Sequence, residues 1–190
     1  MNLIQLWWTG VTSPRRAFAE IRSRPAPQWG FWIVLVFNLA ISVTATLHRY
    51  LLGQDILMPS ALTFLPDENY LLAEIFFLPP VRVLHWLLSA AVVHLCLRLI
   101  RHPGGFDQLL NMGGLGYLIV MPFILVTDWL FIAAGRYDIA EYVHSLTLLW
   151  SWILSVIGLN EVLGVKTATG WALAVVGTPL VLPLLAIFAR

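Results

Sequence analysis

A chain of 190 residues that is 59% hydrophobic and only 11% charged, with a mean hydropathy of +0.83, cannot cover a water-soluble domain of this size with polar surface, so the bilayer must be its solvent. Eleven Lys and Arg against ten Asp and Glu leave a net charge of +1, which excludes the broad basic footprint of a nucleic-acid binder. The single cysteine, Cys96, lies in an apolar run, so no intrachain disulfide can form and the side chain reads as a small hydrophobe.

The opening MNLIQLWWTG has no basic start and no cleavable apolar core, and Asn2 stands where a myristoyl site needs glycine, so no removable signal is expected. Residues 13 to 22, SPRRAFAEIR, open like a helix, with Ser13 as cap and Pro14 at the first helical position. Pro14, Ala17, Phe18 and Ile21 recur on one face and leave Arg15, Arg16 and Arg22 flanking it. That pattern predicts an amphipathic helix at the membrane interface, with Trp7 and Trp8 in the headgroup layer and the arginines on anionic lipid. A solvated helix packed on the domain is the competing reading.

No Asp, Glu, Lys or Arg lies between Arg24 and Arg49, room enough for the roughly 20 residues of a crossing helix, so the first span is placed at 29–47. A net acidic loop with Gly53, Pro59 and Pro66 follows. The uncharged run from Val83 to Leu97 is too short to cross, so the second span must reach back through Arg82 and Pro79-Pro80 to about 71–98. Arg82 and Glu74 then sit at membrane depth, with a bend expected at the prolines.

A basic exit, Arg98, Arg101 and His102, leads through a Pro-Gly-Gly turn into residues 106–117, where Asp107, Gln108 and Asn111 among apolar residues suggest a second surface-lying helix. The third span is placed at 116–134, with Pro122 inside it and Asp128 two-thirds of the way across. A polar loop with Arg136 and Asp138 leads to the fourth span, 142–160; the turn around EVLGVKTATG leads to the fifth, 168–189, with Pro179 and Pro183 as bends. The expected architecture is all-α: a five-helix transmembrane bundle with two interfacial amphipathic helices, divided into an N-terminal segment 1–28 and a membrane domain 29–190.

Five spans place Arg15, Arg16, Arg22, Arg24, Arg98, Arg101 and Lys166 on one side, and Arg49, Arg136 and Arg190 on the other. The excess predicts a cytoplasmic N-terminus and a C-terminus on the opposite side.

Ionisable groups in hydrocarbon cost about 2.5 to 3.5 kcal/mol on insertion scales and find partners. Arg82 and Asp128 are therefore expected to pair, fixing helix register or lining an ion or proton path together with Glu74. His48 and His144 fall near one end of their spans, but without HExxH, CxxC or paired histidines one turn apart they read as polar interfacial residues rather than metal ligands. Asn160, Glu161 and Lys166, beside Arg98, Arg101, His102 and Asp107, form a corner that is either self-satisfied or a docking point for a partner. Gly113, Gly114 and Gly116 allow close helix approach. No catalytic set, phosphate-cradling loop or cofactor motif stands out.

Three segments in order, SPRRAF.EIR..P, HPGGFDQLLNMGGLGYLIVMP and LWSWILSVIGLNEVLGVKTATGWA, resemble the Yip domain family, named for interaction with Ypt/Rab GTPases. The resemblance implies five spans, a cytoplasmic N-terminus and no enzymatic activity. The chain lacks the long hydrophilic N-terminal region of eukaryotic members, which argues against GTPase binding, and its compact form is similar to prokaryotic members, implying the bacterial inner membrane. Three functions follow as expectations. The first is a non-enzymatic scaffold or membrane organiser that contacts lipids and either another membrane protein or a second copy of itself. The second is a transporter or transporter-accessory subunit using Glu74, Arg82 and Asp128, and the third is an intramembrane metalloprotein.

Overall fold

The computed structural model describes residues 1–23, 28–54, 64–132 and 134–175, with the backbone alone for Asp67, Glu68 and Tyr137. Two short helices, α1 (Leu3–Thr12) and α2 (Pro14–Arg22), precede the long ones. Asn2 and Gln5 cap α1 reciprocally: the Gln5 amide donates to Asn2 Oδ1 (2.9 Å) and the Asn2 amide to Gln5 Oε1 (3.1 Å). Pro14 starts α2 as the sequence suggested, and Ala17, Phe18 and Ile21 are buried while Arg15, Arg16 and Arg22 are exposed.

Helix α3 (Gln28–Ile41) continues through a π-helical turn at Ser42–Thr46 into α4 (Leu47–Leu51). Helix α5 runs unbroken from Asp67 to Leu99 with Pro79 and Pro80 inside it, α6 from Phe106 to Thr127 with a π-helical turn at Asp128–Ile132, and α7 from Tyr137 to Leu163. Residues 167–175 form a further helical segment. Four of these helical stretches, Gln28–Leu51, Asn69–Leu99, Phe106–Ile132 and Asp138–Leu163, are long and apolar enough to cross a membrane. At 24 to 31 residues they extend about 36 to 46 Å, more than the hydrocarbon thickness of roughly 30 Å. The expected fifth span, 168–189, lies beyond residue 175 for most of its length and so outside the described residues, as do Arg24, Pro59, Pro179, Pro183 and Arg190.

One expectation needs correcting. Residues 106–117 are not a separate surface helix but the first half of α6, so the third span begins ten residues earlier than 116. Asp107 lies in the first turn, where a carboxylate faces the positive end of the helix. Gln108 Oε1 accepts from the Gly105 amide (3.0 Å), and Asn111 is buried in the bundle. The polar residues that suggested a surface face instead start and cap a spanning helix.

Helix α6 is the centre of the molecule, packing against α3, α5 and α7, against α2 toward its N-terminal end, and against α1 in its second half, where Gly10 meets Ile119 and Trp7 meets Phe123. The α3–α6 crossing is closest at Gly30 and Gly114: a Cβ on Gly114 would lie 2.5 Å from the Gly30 Cα, so only glycine fits. The α6–α7 pair is an antiparallel hairpin, its loop clamped by Arg136, whose Nε and Nη2 donate to the two Asp138 carboxylate oxygens (3.1 and 3.0 Å). Gly164, in the left-handed conformation (φ 71°), closes α7; its amide donates to the Asn160 carbonyl (2.9 Å). The ends of α5, α6 and α7 near residues 99, 106 and 163, with α2, define one face of the bundle, called the N-face below.

Exposure is inverted relative to a soluble protein. Val36, Leu39, Val43, Phe76, Leu95 and Leu130 are exposed along the spans, whereas Asn38, Ser42, Arg49, Glu74, Asp128 and Thr147 are buried. Apolar patches this large on the outside and ionisable groups on the inside are the signature of a bundle solvated by lipid.

Candidate functional site

Between α5, α6 and α7 lies a cavity of about 460 Å³. Its lining changes along the bundle axis. Toward the N-face it is apolar, with Leu109 and Met112 from α6, Leu154 and Leu159 from α7, and Phe18 of α2 reaching in from the side. Away from the N-face it becomes polar, with Arg82, His85 and Ser89 from α5, Tyr117 and Asp128 from α6, and His144, Thr147 and Ser151 from α7. Local helix geometry explains the stripes. His144, Thr147, Ser151 and Ser155 recur at three- and four-residue steps and so share a face of α7, and Arg82, His85 and Ser89 do the same on α5, which survives its two prolines intact.

Asp128 is buried and hydrogen-bonds His144, with Oδ1 2.8 Å from Nε2. The expected Arg82–Asp128 pair is therefore not formed: both residues line the same cavity, but the carboxylate is taken by the histidine. The reason is the hairpin. Arg136 lies midway in sequence between Asp128 and His144, and an antiparallel turn brings residues equidistant from its centre side by side. A π-helical turn starts at Asp128, and the one at Ser42–Thr46 packs against it; such turns often occur at functional sites because they redirect side chains. Along α7 the hydroxyls of Ser151 and Ser155 donate to the carbonyls one turn back, Thr147 (2.7 Å) and Ser151 (2.8 Å), so they present acceptor lone pairs to the cavity. Arg82 has no hydrogen-bond or ion-pair partner among the described residues, and its Nε is buried. Glu74 is buried but lies outside the cavity.

The N-face holds the second group of residues singled out in the sequence, and it is more dispersed than expected. Arg98, Arg101 and Lys166 are exposed, and Arg101 has a left-handed backbone (φ 56°). His102 Nδ1 accepts from the Gly104 amide (3.1 Å), and Asn160 Nδ2 donates to the Val165 carbonyl (3.0 Å), so both serve their own turns. Glu161 meets neither Lys166 nor the arginines of the corner but Arg15 of α2, at 3.7 Å. The expected headgroup position of Trp7 and Trp8 on this face is not what the structure has: Trp8 is exposed on α1, but Trp7 is half-buried against Phe123 in the second half of α6, ring centroids 6.2 Å apart, because α1 runs along that helix. Among the described residues no three His, Cys, Asp or Glu side chains converge as metal ligands, and His48 is exposed.

The family profile for the Yip1 domain matches residues 8–189. The chain belongs to the Yip1 family. The Yip1 match takes in α2, every spanning helix and the cavity, so the site is built wholly from the family's own domain rather than from an added segment. No curated protein and no solved structure matches this Yip1 member. Membership and four apolar helices together make it an integral membrane protein.

Proposed function

We propose that the protein is a non-enzymatic membrane organiser or scaffold that works through its N-face, which is cytoplasmic. The observation that carries the reading is helix α2. It exposes Arg15, Arg16 and Arg22 at the N-face while docking Phe18 and Ile21 into the bundle. A cationic ridge there matches a headgroup layer carrying anionic lipid, and a ridge held against α7 is also a surface for an acidic partner. The excess of basic residues on this face supports its cytoplasmic placement, and the membrane proposed is the bacterial inner membrane.

A crosslinker attached at Arg16→Cys in native membranes should capture one dominant membrane protein or a second copy of the chain. Adding the double charge reversal Arg15→Glu/Arg22→Glu should abolish the capture without unfolding the bundle. Recovery of lipid alone, or capture unaffected by charge reversal, contradicts the scaffold.

The cavity favours a second reading, a transporter or transporter-accessory subunit, because Arg82, Asp128 and His144 line one continuous space. Solute flux into proteoliposomes that vanishes in Asp128→Asn would support it, and equal flux with and without the protein would remove it.

A further inference from the structure

The cavity pairs an unsatisfied cation with an apolar slot. The Arg82 guanidinium is the permanent positive charge among its lining residues. The nearest carboxylate among the lining residues, Asp128, is bound to His144. Trp86, which can only donate, has its Nε1 buried with no partner one turn along the same helix face, and Arg82 Nε is in the same condition. A charge at this depth without a counterion is costly, and donors left unmade in a low-dielectric site add to that cost. Toward the N-face the walls are Leu109, Met112, Leu154 and Leu159, with no ionisable group among them. The volume of about 460 Å³ falls in the range of small-molecule sites.

We propose that this cavity binds an anionic amphiphile, its acidic head against Arg82 and its alkyl chain along the apolar end toward Phe18. The chemistry required is one oxyanion plus a saturated chain. A free long-chain carboxylate and a phospholipid both supply it, and either is reached from the surrounding bilayer. The serine oxygens on α7 accept hydrogen bonds from hydroxyls or water around the head, and the oxyanion accepts from the guanidinium in a charge-assisted pair. The site requires neither the scaffold nor the transport reading.

The test uses the full chain in nanodiscs of uncharged lipid with three photoactivatable diazirine probes of equal chain length: a fatty acid, a phosphatidylglycerol and a fatty alcohol. Labelled peptides are mapped by mass spectrometry. The fatty acid or the phosphatidylglycerol should label residues of α6 and α7 that line the apolar end, and whichever does so identifies the source of the head. The alcohol should label them at least about tenfold less, the loss expected for one charge-assisted hydrogen bond. Arg82→Gln should lower labelling by a similar factor while Arg82→Lys retains part of it. Should Arg82→Gln fail to fold, competition on the unaltered protein decides: unlabelled palmitate should displace the probe and unlabelled hexadecanol should not. Equal labelling by acid and alcohol, equal displacement by both competitors, or no labelling of cavity residues overturns the proposal.

Discussion

The contact between Asp128 and His144 ties the π-helical turn that follows α6 to α7. The carboxylate side chain is only 8% exposed, so removing its partner strands an acceptor inside the bundle. Asp128→Ala and His144→Ala should each lower stability by about 1–3 kcal/mol, and the double variant should be little worse than either single one, as for any two groups that act only on each other. Thermal unfolding in detergent measures this; strictly additive losses would show that the contact carries no energy. The exposed Arg15–Glu161 pair is the opposite case. At 3.7 Å, with Arg15 79% exposed, it should change stability by less than about 1 kcal/mol when Glu161 becomes Gln.

These contacts were half legible in the sequence. Counting formal charges finds Arg82 and Asp128 at membrane depth but passes over His144, which carries no formal charge. The short loop centred near Arg136 was the signal that could have found it, because a hairpin pairs residues by their distance from the turn.

At the scale of elements, α6 sets the geometry, and its glycines divide by what they face. Gly114 meets the Gly30 backbone, which cannot yield, whereas a Cβ on Gly116 would meet nothing within 4 Å. Gly114→Val should therefore destabilise by about 1–3 kcal/mol or more through overpacking. Gly116→Ala should be neutral or stabilising by up to about 1 kcal/mol, from helix propensity alone. Comparing the two melting temperatures checks both; equal effects would mean that α3 and α6 do not cross where the structure has them.

The sequence pattern places the first, second and fourth spans to within a few residues, because gaps between charges report hydrocarbon length directly. It misplaces the start of α6. Asp107, Gln108 and Asn111 are polar for three different reasons, a helix-dipole contact, a cap and a buried site, and only a surface helix would need them for one. The continuity of α5 through Pro79-Pro80, by contrast, was legible, because the uncharged run after Arg82 is too short to cross alone, and prolines in a membrane helix break no more than the neighbouring structure allows.

Across the whole molecule, the spans turn apolar side chains outward and hold their ionisable groups inside, while the cationic residues of α2 and of the 98–101 corner collect at the N-face. The scaffold reading and the interfacial role of α2 both depend on that face lying against the cytoplasmic leaflet. Two-sided cysteine labelling in a Cys96→Ser background tests this most directly. A membrane-impermeant thiol reagent applied to inside-out membrane vesicles should modify Arg16→Cys and not Arg136→Cys, and applied to spheroplasts it should modify Arg136→Cys and not Arg16→Cys. Labelling of both positions from one side, or the reverse pattern, would contradict the topology and with it the assignment of the N-face as the working surface.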